Sequence, residues 1–330
     1  MQAQLTKTGV FGTAILRGVV QALTAETPAQ DTDGDRHGPG GSFTIQSLNA
    51  CVRSPASAAR IQTELGPSGA RRVNIVHGDN HAAVEAADVI VLTCRPRDVL
   101  SCLGSDRLRH ALQGKLLVSG VAGVSISDLR ALLAGTHSVS SPEMMHAQAT
   151  STTQSNAIMA QTQVVRVMAN LCAMTRQSIT VATMENEMFP PGASANGGAP
   201  PQTFLRVVEW IFAQVGTLRW VDPGQFNTCV SLCSSGPAFM ATFVEALADG
   251  AVVLGVDRKS AVEMAALMAQ GTAGLILAGR STAEIRDGVS TPGGSTIQGV
   301  LEMEERGVRP MGVHTIARSS KKLTELSGRK

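Results

Sequence analysis

The stretch Asp88-Val-Ile-Val-Leu-Thr-Cys94 decides the fold class, because it is a continuous run of almost wholly apolar residues. A run of this length is typical of a strand buried on both faces of a parallel sheet. Residues 114–123 contain a second such strand with its turn. Strand and helix patterns alternate on both sides of these runs, which predicts βαβ units. The first part of the chain is therefore predicted to be an α/β domain with a parallel-rich sheet.

The same patterns divide the whole chain. Three segments rich in polar or small residues, near 27–42, 135–163 and 190–201, are predicted to be loop insertions. Asp222-Pro223-Gly224 is predicted to be a domain junction, so that residues 1–224 form one domain and 225–330 a helical second domain. Residues 239–253 are apolar on most faces, which indicates a helix in a core or a subunit interface.

Bulk properties exclude several classes of partner. The 330 residues carry 28 basic and 26 acidic side chains, and a net charge of +2 gives no reason to expect binding to nucleic acid. We found no run approaching the ~20 apolar residues that span a bilayer, and therefore predict no membrane partner. The six cysteines form no Cys-x-x-Cys pair and the seven histidines show no ligand spacing. These patterns predict a cytoplasmic protein without a metal site.

The N-terminal segment holds a weak dinucleotide-binding motif. Gly9 and Gly12 match the second and third glycines of Gly-x-Gly-x-x-Gly, but Lys7 occupies the first position. Residues 10–23 follow as an amphipathic helix, whereas residues 1–6 are short and polar for a first strand. The motif predicts a Rossmann-like domain, and its defects predict either an incomplete N-terminus or an impaired cofactor site.

Arg53 and Ser54 follow the second predicted strand, where an NAD-binding domain usually carries an acidic residue. An arginine and a serine suit a 2'-phosphate instead. We therefore predict NADPH as the cofactor, with NADH possible. Arg53 is otherwise a surface arginine at the end of a strand.

The stretch Asp287-Gly-Val-Ser-Thr-Pro-Gly-Gly-Ser-Thr-Ile-Gln-Gly-Val-Leu301 predicts a binding turn. We expect Ser295 and Gln298 to form a capping box that opens a helix to Glu305. Backbone N–H groups at a helix start favour a small anion such as a carboxylate, and the glycines allow close approach. The alternative interpretation is a tight turn between helices.

Four blocks in the C-terminal part resemble the delta-1-pyrroline-5-carboxylate reductase family. They are Ser235-Gly-Pro-Ala-Phe239, Glu245-Ala-Leu-Ala-Asp-Gly250, Gly255-Val-Asp-Arg258 and residues 287–299. The resemblance implies NADPH-dependent reduction of a cyclic imine to proline, an all-α dimerisation domain, and a homodimer or higher homo-oligomer.

The resemblance also assigns residues. It implies a catalytic Thr296 that exchanges a hydrogen bond with the ring nitrogen, although Thr296 is otherwise an ordinary first-turn residue. The implied substrate residues are Thr291, Gly293, Gly294, Ser295, Ser235 and Gly236, and the implied cofactor residues, beside Gly9, Gly12, Arg53 and Ser54, are Asn80, Arg95, Pro96, Ala122 and Gly123.

Two departures from the family keep other functions open. Arg95-Pro96 stands where the family has Lys-Pro, and Leu171-Cys172 follow Arg166-Val-Met-Ala-Asn170 where the family has Thr-Pro. A reductase of another cyclic imino acid is therefore one alternative. A catalytically impaired dimerising homologue is another, because the first strand is nearly absent from the sequence and Lys7 replaces the first glycine of the motif.

Overall fold

The computed structural model describes residues 2–6, 10–25, 43, 45–78, 80–135, 162–185 and 202–327. Contacts divide the chain into two compact units. The first comprises Met1–Ser234 together with Lys321–Lys330, and the second comprises Ser235–Ser320. The predicted insertions near 27–42 and 190–201 lie outside the described residues. Of the predicted insertion at 135–163, only the ends are described, and Gln163 already belongs to a strand.

The first unit contains one sheet, which has eight strands in the described part of the chain. The strands are β1 Gln2–Thr6, β2 Ser47–Val52, β3 Val73–His77, β4 Val89–Leu92, β5 Leu116–Ser119, β6 Gln163–Met168, β7 Ser178–Thr183 and β8 Gly216–Trp220. Their order is β3-β2-β1-β4-β5-β6-β7-β8. Every pair is parallel except β6 with β7. The predicted parallel-rich sheet is confirmed.

The expectation that the first strand is nearly missing is wrong. Gln2–Thr6 forms β1, which pairs along its length with β2 and also with β4. Backbone hydrogen bonds to two neighbours hold a strand in place whatever its side chains, which is why its polar sequence gave a weak signal.

Helices cover both faces of this sheet. They are α1 Val10–Ala25, α2 Pro55–Ala70, α3 His81–Ala86, α4 Val99–Leu103, α5 Asp106–Ala111, α6 Ile126–Leu133, α7 Gln202–Ala213 and α8 Phe226–Cys233. One core cluster joins β-strand residues to α1 and α7, and another joins them to α4 and α6. The buried runs of β4 and β5 contribute to both clusters, as expected of strands packed on two faces.

The boundary between the units falls later in the chain than the predicted junction at 222–224. The reason is α8, whose Phe226 and Val230 pack on Val181 of β7. Leu323 from the last helix joins the same cluster. The first unit is therefore assembled from two separate segments of the chain.

The second unit is helical, as predicted. Its helices are α9 Gly236–Val253, α10 Arg258–Leu277, α11 Thr282–Gly288 and α12 Ser295–Glu305, and α13 Val308–Ser327 continues into the first unit. Asp257 caps α10 by accepting a hydrogen bond from the Ser260 backbone N–H. Ser281 and Glu284 form a complete capping box at α11.

The predicted capping box at Ser295 is wrong. The helix α12 begins at Ser295, so the cap position is occupied by Gly294, which has no side chain to accept a hydrogen bond. Ser295 lies inside the first turn, where its hydroxyl cannot act as an N-cap acceptor.

The prediction that no segment approaches membrane-spanning length is also wrong. Two stretches of the described chain, Phe226–Val253 and Arg258–Leu277, are long and apolar enough to cross a membrane by length and composition alone. The core helices of proteins that do not span membranes pass the same test, so this finding by itself is weak evidence for a membrane.

Candidate functional site

The carboxyl ends of the parallel strands carry the predicted cofactor residues of the first unit. Arg53 and Ser54 follow β2 directly, and Arg95 and Pro96 follow β4. Since β2 and β4 both pair with β1, these residues flank the end of the central strand. Ligands of open parallel sheets bind at this edge.

Ser54 has a structural task as well as its predicted one. It caps α2, because its Oγ accepts a hydrogen bond of 3.2 Å from the Ser57 backbone N–H. The start of α2 therefore lies at the carboxyl end of β2, which is the arrangement that attracts anions to a helix N-terminus.

Two arginines of this edge converge on one carboxylate. The Arg95 Nε donates to Asp98 Oδ2 at 3.1 Å, and the Arg53 Nη1 lies 3.8 Å from Asp98 Oδ1. Planar guanidinium groups suit phosphate and carboxylate oxygens equally well. The donor set at this position therefore fits the 2'-phosphate of a nicotinamide dinucleotide phosphate.

The other predicted nucleotide residues are less informative. Gly9 lies outside the described residues, and Gly12 is buried in the first turn of α1. Asn80 precedes α3 but its side chain does not cap that helix. The buried Oδ1 of Asn80 makes no hydrogen bond to the residues that the structure describes.

Ala122 and Gly123 lie in the turn that follows β5, where the resemblance places the nicotinamide. Gly123 has a φ of 71°, a left-handed conformation that favours glycine. Gly120, just before this turn, donates its backbone N–H to Leu92 at 2.8 Å. The turn is thereby tied to the carboxyl end of β4.

Arg166 and Asn170 of the Arg-x-Met-x-Asn motif are buried, in β6 and just after it. The Arg166 guanidinium carbon lies 4.4 Å from the centre of the Phe226 ring. Burial lowers the pKa of Arg166 to about 10, and the Asp128 carboxylate opposes that shift. Asn170 is also buried, and its Nδ2 donates to the Cys233 carbonyl at 2.8 Å. The sequence identified the motif but not these contacts.

The predicted substrate turn of the second unit is exposed and leads into α12. Gly293 has a φ of 70°, and the Gly294 backbone N–H donates to the Thr291 carbonyl at 2.9 Å. A Cβ at Gly294 would collide with Thr291 Oγ1 and lie 3.1 Å from the Thr291 carbonyl oxygen, so the Thr291 side chain would have to move to admit it. Ser295 and Thr296 are the first two residues of α12, and both are exposed.

Ser235 and Gly236 open α9 in the same unit. Ser235 occupies the N-cap position without making a side-chain cap. Its hydroxyl is therefore not used to satisfy the start of its own helix.

Sequence reasoning missed Asp98 entirely. The only local signal was Arg95-Pro-Arg-Asp98, because residues three apart meet on one face of a helical turn. Arg53 follows a different strand, so its contact with Asp98 could not be found from sequence spacing.

Comparisons with known proteins agree with the architecture. The family described as "Pyrroline-5-carboxylate reductase dimerisation" matches residues 223–326, and "NADP oxidoreductase coenzyme F420-dependent" matches residues 8–123. The chain is 35% identical to a pyrroline-5-carboxylate reductase of Lophium arboricola over 96% of this chain and 89% of the relative.

Solved structures share the fold across both units. A pyrroline-5-carboxylate reductase from Coxiella burnetii superposes with a TM-score of 0.72 at 20% identity, covering 98% of each chain. The pyrroline carboxylate reductase of Plasmodium falciparum, solved with NADP bound, gives a TM-score of 0.68 at 17% identity over 99% of this chain and 98% of that one.

Proposed function

Because this chain belongs to the pyrroline-5-carboxylate reductase family, we propose that it reduces 1-pyrroline-5-carboxylate to L-proline, with NADPH as the hydride donor. The cofactor, when bound, supplies a hydride to the carbon of the protonated C=N bond, which becomes a secondary amine. The protein has to bind and orient the two reactants, and proximity of this kind removes much of the barrier.

The single observation that carries the substrate assignment is the uncapped start of α12. Its N-cap is Gly294, whereas α10 and α11 are capped by the side chains of Asp257 and Ser281. The first N–H groups of a helix need an acceptor. At α12 that acceptor has to come from outside the helix, and a carboxylate is the preferred partner at a positive helix end.

Thr296 is proposed to orient the imine. Its hydroxyl lies in the same first turn as the proposed carboxylate site, so a substrate held there by its carboxylate presents its ring nitrogen nearby. A hydroxyl can both donate and accept, which suits a nitrogen that changes its protonation during the reaction. Ser235 and Gly236 are proposed to complete the substrate-binding wall.

Arg53, Ser54 and Arg95 support the choice of NADPH over NADH. All three lie at the carboxyl edge of the sheet, and the two arginines already bind one anionic group. We propose that they contact the 2'-phosphate, with Ala122 and Gly123 beside the nicotinamide.

The second unit is proposed to form a homodimer in the cytoplasm. It exposes many large apolar side chains, among which Leu277, Leu254 and Val253 are 88%, 86% and 84% exposed. Large apolar side chains exposed in this number indicate an interaction site. A partner copy would cover both apolar helical stretches without a bilayer. The existence of β1 also removes one of the two reasons to consider an impaired homologue.

The proposal is tested by following oxidation of NADPH with 1-pyrroline-5-carboxylate, in parallel with other cyclic imino acids. The Thr296→Ala variant should lower kcat about tenfold to a hundredfold while NADPH binding stays unchanged. Thr282→Ala is the matched control, since Thr282 is also an exposed first-turn threonine of the same unit. Equal loss of turnover and cofactor binding in Thr296→Ala would count against its role, and no turnover by the wild-type protein would overturn the function.

A further inference from the structure

Asp98 connects two basic residues that come from different strands. It belongs to the short 3-10 helix Pro96–Asp98 after β4, and its backbone N–H donates to the Arg95 carbonyl at 2.8 Å. This turn brings its carboxylate back onto Arg95 and across to Arg53. The Asp98 side chain is only 17% exposed, whereas those of Arg53 and Arg95 are 65% and 53% exposed. The carboxylate therefore lies beneath the two guanidinium groups.

The Asp98 carboxylate already contacts the two guanidinium groups that would bind a phosphate. A 2'-phosphate bound by Arg53 and Arg95 would have to share these donors with Asp98 or displace it. The Asp98 carboxylate and a phosphate carry like charges and would repel each other beside the arginines. A guanidinium group that already binds one oxyanion also offers fewer N–H donors to another. Asp98 should consequently weaken the binding of a phosphorylated ribose.

Asp98 does not compete with a cofactor that lacks the 2'-phosphate. Acidic residues near this edge of dinucleotide-binding domains accept hydrogen bonds from ribose hydroxyls. With NADH, Asp98 can keep its pairing with both arginines and still accept from a hydroxyl, since a carboxylate has about four acceptor sites.

We propose that Asp98 is a specificity-determining residue, which competes with the 2'-phosphate for Arg53 and Arg95 and so narrows the preference for NADPH over NADH. This inference rests on the proposed dinucleotide site. It predicts that the two arginines are kept in a binding arrangement by an internal anion until the phosphorylated cofactor replaces it.

The test uses two fragments of the cofactor, adenosine 2',5'-bisphosphate and adenosine 5'-monophosphate, titrated calorimetrically into the full-length protein. Asp98→Asn should tighten binding of the bisphosphate about tenfold and should not tighten binding of the monophosphate. Asp98→Ala should tighten binding of the bisphosphate by the same factor, which shows that the effect does not come from the amide group of the new asparagine. Circular dichroism verifies that both variants are folded.

Asp106→Asn is the matched control. Asp106 forms an ion pair with Arg109 at the same i,i+3 spacing as Asp98 with Arg95, but α5 leads into the amino end of β5. This control should leave both affinities unchanged. An unchanged bisphosphate affinity in the Asp98 variants, with a wild-type protein that binds it, would overturn the inference alone. A wild-type protein that binds neither fragment would overturn the inference and the proposed cofactor site together.

Discussion

The Asn170 side chain donates a hydrogen bond of 2.8 Å to the carbonyl of Cys233, which joins the end of β6 to the end of α8. The same side chain accepts a 3.0 Å hydrogen bond from the Cys172 N–H, and the Asn170 backbone N–H donates to Ser178 Oγ at 3.1 Å. Only Ser234 separates Cys233 from Ser235, the first residue of the proposed substrate wall. Asn170 thus fixes the chain just before that wall.

Replacing Asn170 with alanine should destabilise the protein by about 1–3 kcal/mol, because it leaves the partners of a buried amide unsatisfied. Equilibrium denaturation measures this loss. Asn227→Ala is the control, since the Asn227 Nδ2 donates an exposed hydrogen bond of 3.4 Å to Thr324 Oγ1. A loss at Asn170 no larger than at Asn227 would show that the buried hydrogen bonds contribute little.

Replacing Gly294 with alanine should raise the KM for the imino acid and leave NADPH affinity unchanged. The new Cβ would collide with Thr291 Oγ1, so the side chain of this proposed substrate residue has to move. We expect roughly a tenfold effect, since a small displacement of a binding group is costly. Steady-state kinetics and cofactor titration measure the two quantities.

Gly288→Ala is the control for this turn, because a Cβ at Gly288 meets no atom within 4 Å. It should behave like the wild type. An unaltered KM in Gly294→Ala would remove the turn from the substrate site.

Replacing Arg53 with aspartate should shift the cofactor preference towards NADH by roughly tenfold or more. The substitution replaces a positive charge that attracts the 2'-phosphate with a negative charge that repels it, beside the negative charge of Asp98. The ratio of kcat/KM for NADPH and NADH measures the shift. Arg60→Asp, at an exposed ion pair with Glu64 on α2, should leave the ratio unaltered. If Arg53→Asp leaves it unaltered too, Arg53 does not contact the phosphate.

Acidification should weaken the cap of α10. Hydrogen bonds from the Ser260 side chain and backbone lower the pKa of Asp257 from its usual 3.8. A lowered folded-state pKa means that the carboxylate stabilises the native state above about pH 4, and that this contribution disappears as the pH falls through the lowered value.

The Asp257→Asn variant keeps a capping side chain that does not titrate in this range. Its Tm should therefore fall less than that of the wild type between about pH 5 and pH 2. Glu263→Gln, at an exposed position on the same helix, provides the comparison. Parallel Tm profiles for wild type and Asp257→Asn would contradict a stabilising role for the charged cap.

The sequence predicted those features that depend on local pattern. The apolar runs of β4 and β5 and the helical second unit were found in this way. The strand β1 was underestimated because its stability comes from backbone pairing with two neighbours, which no side-chain pattern records.

The site was predictable only in part for a similar reason. Arg53 was selected as a cofactor residue from its place after a strand and Arg95 from the family resemblance, but the contact of Asp98 with both depends on the order of the sheet. At Ser295 the motif matched a capping box, yet the helix starts one residue too early for it, because Gly294 completes the turn with Thr291.

The return of α13 to the first unit has a consequence for synthesis on the ribosome. Leu323 packs with Phe226 and Val230, and Thr324 accepts a 3.4 Å hydrogen bond from Asn227 Nδ2. Domains usually fold in the order in which they emerge. Here the nucleotide-binding unit lacks part of its packing until α13 has been synthesised, so its nascent form completes its core only after that helix emerges.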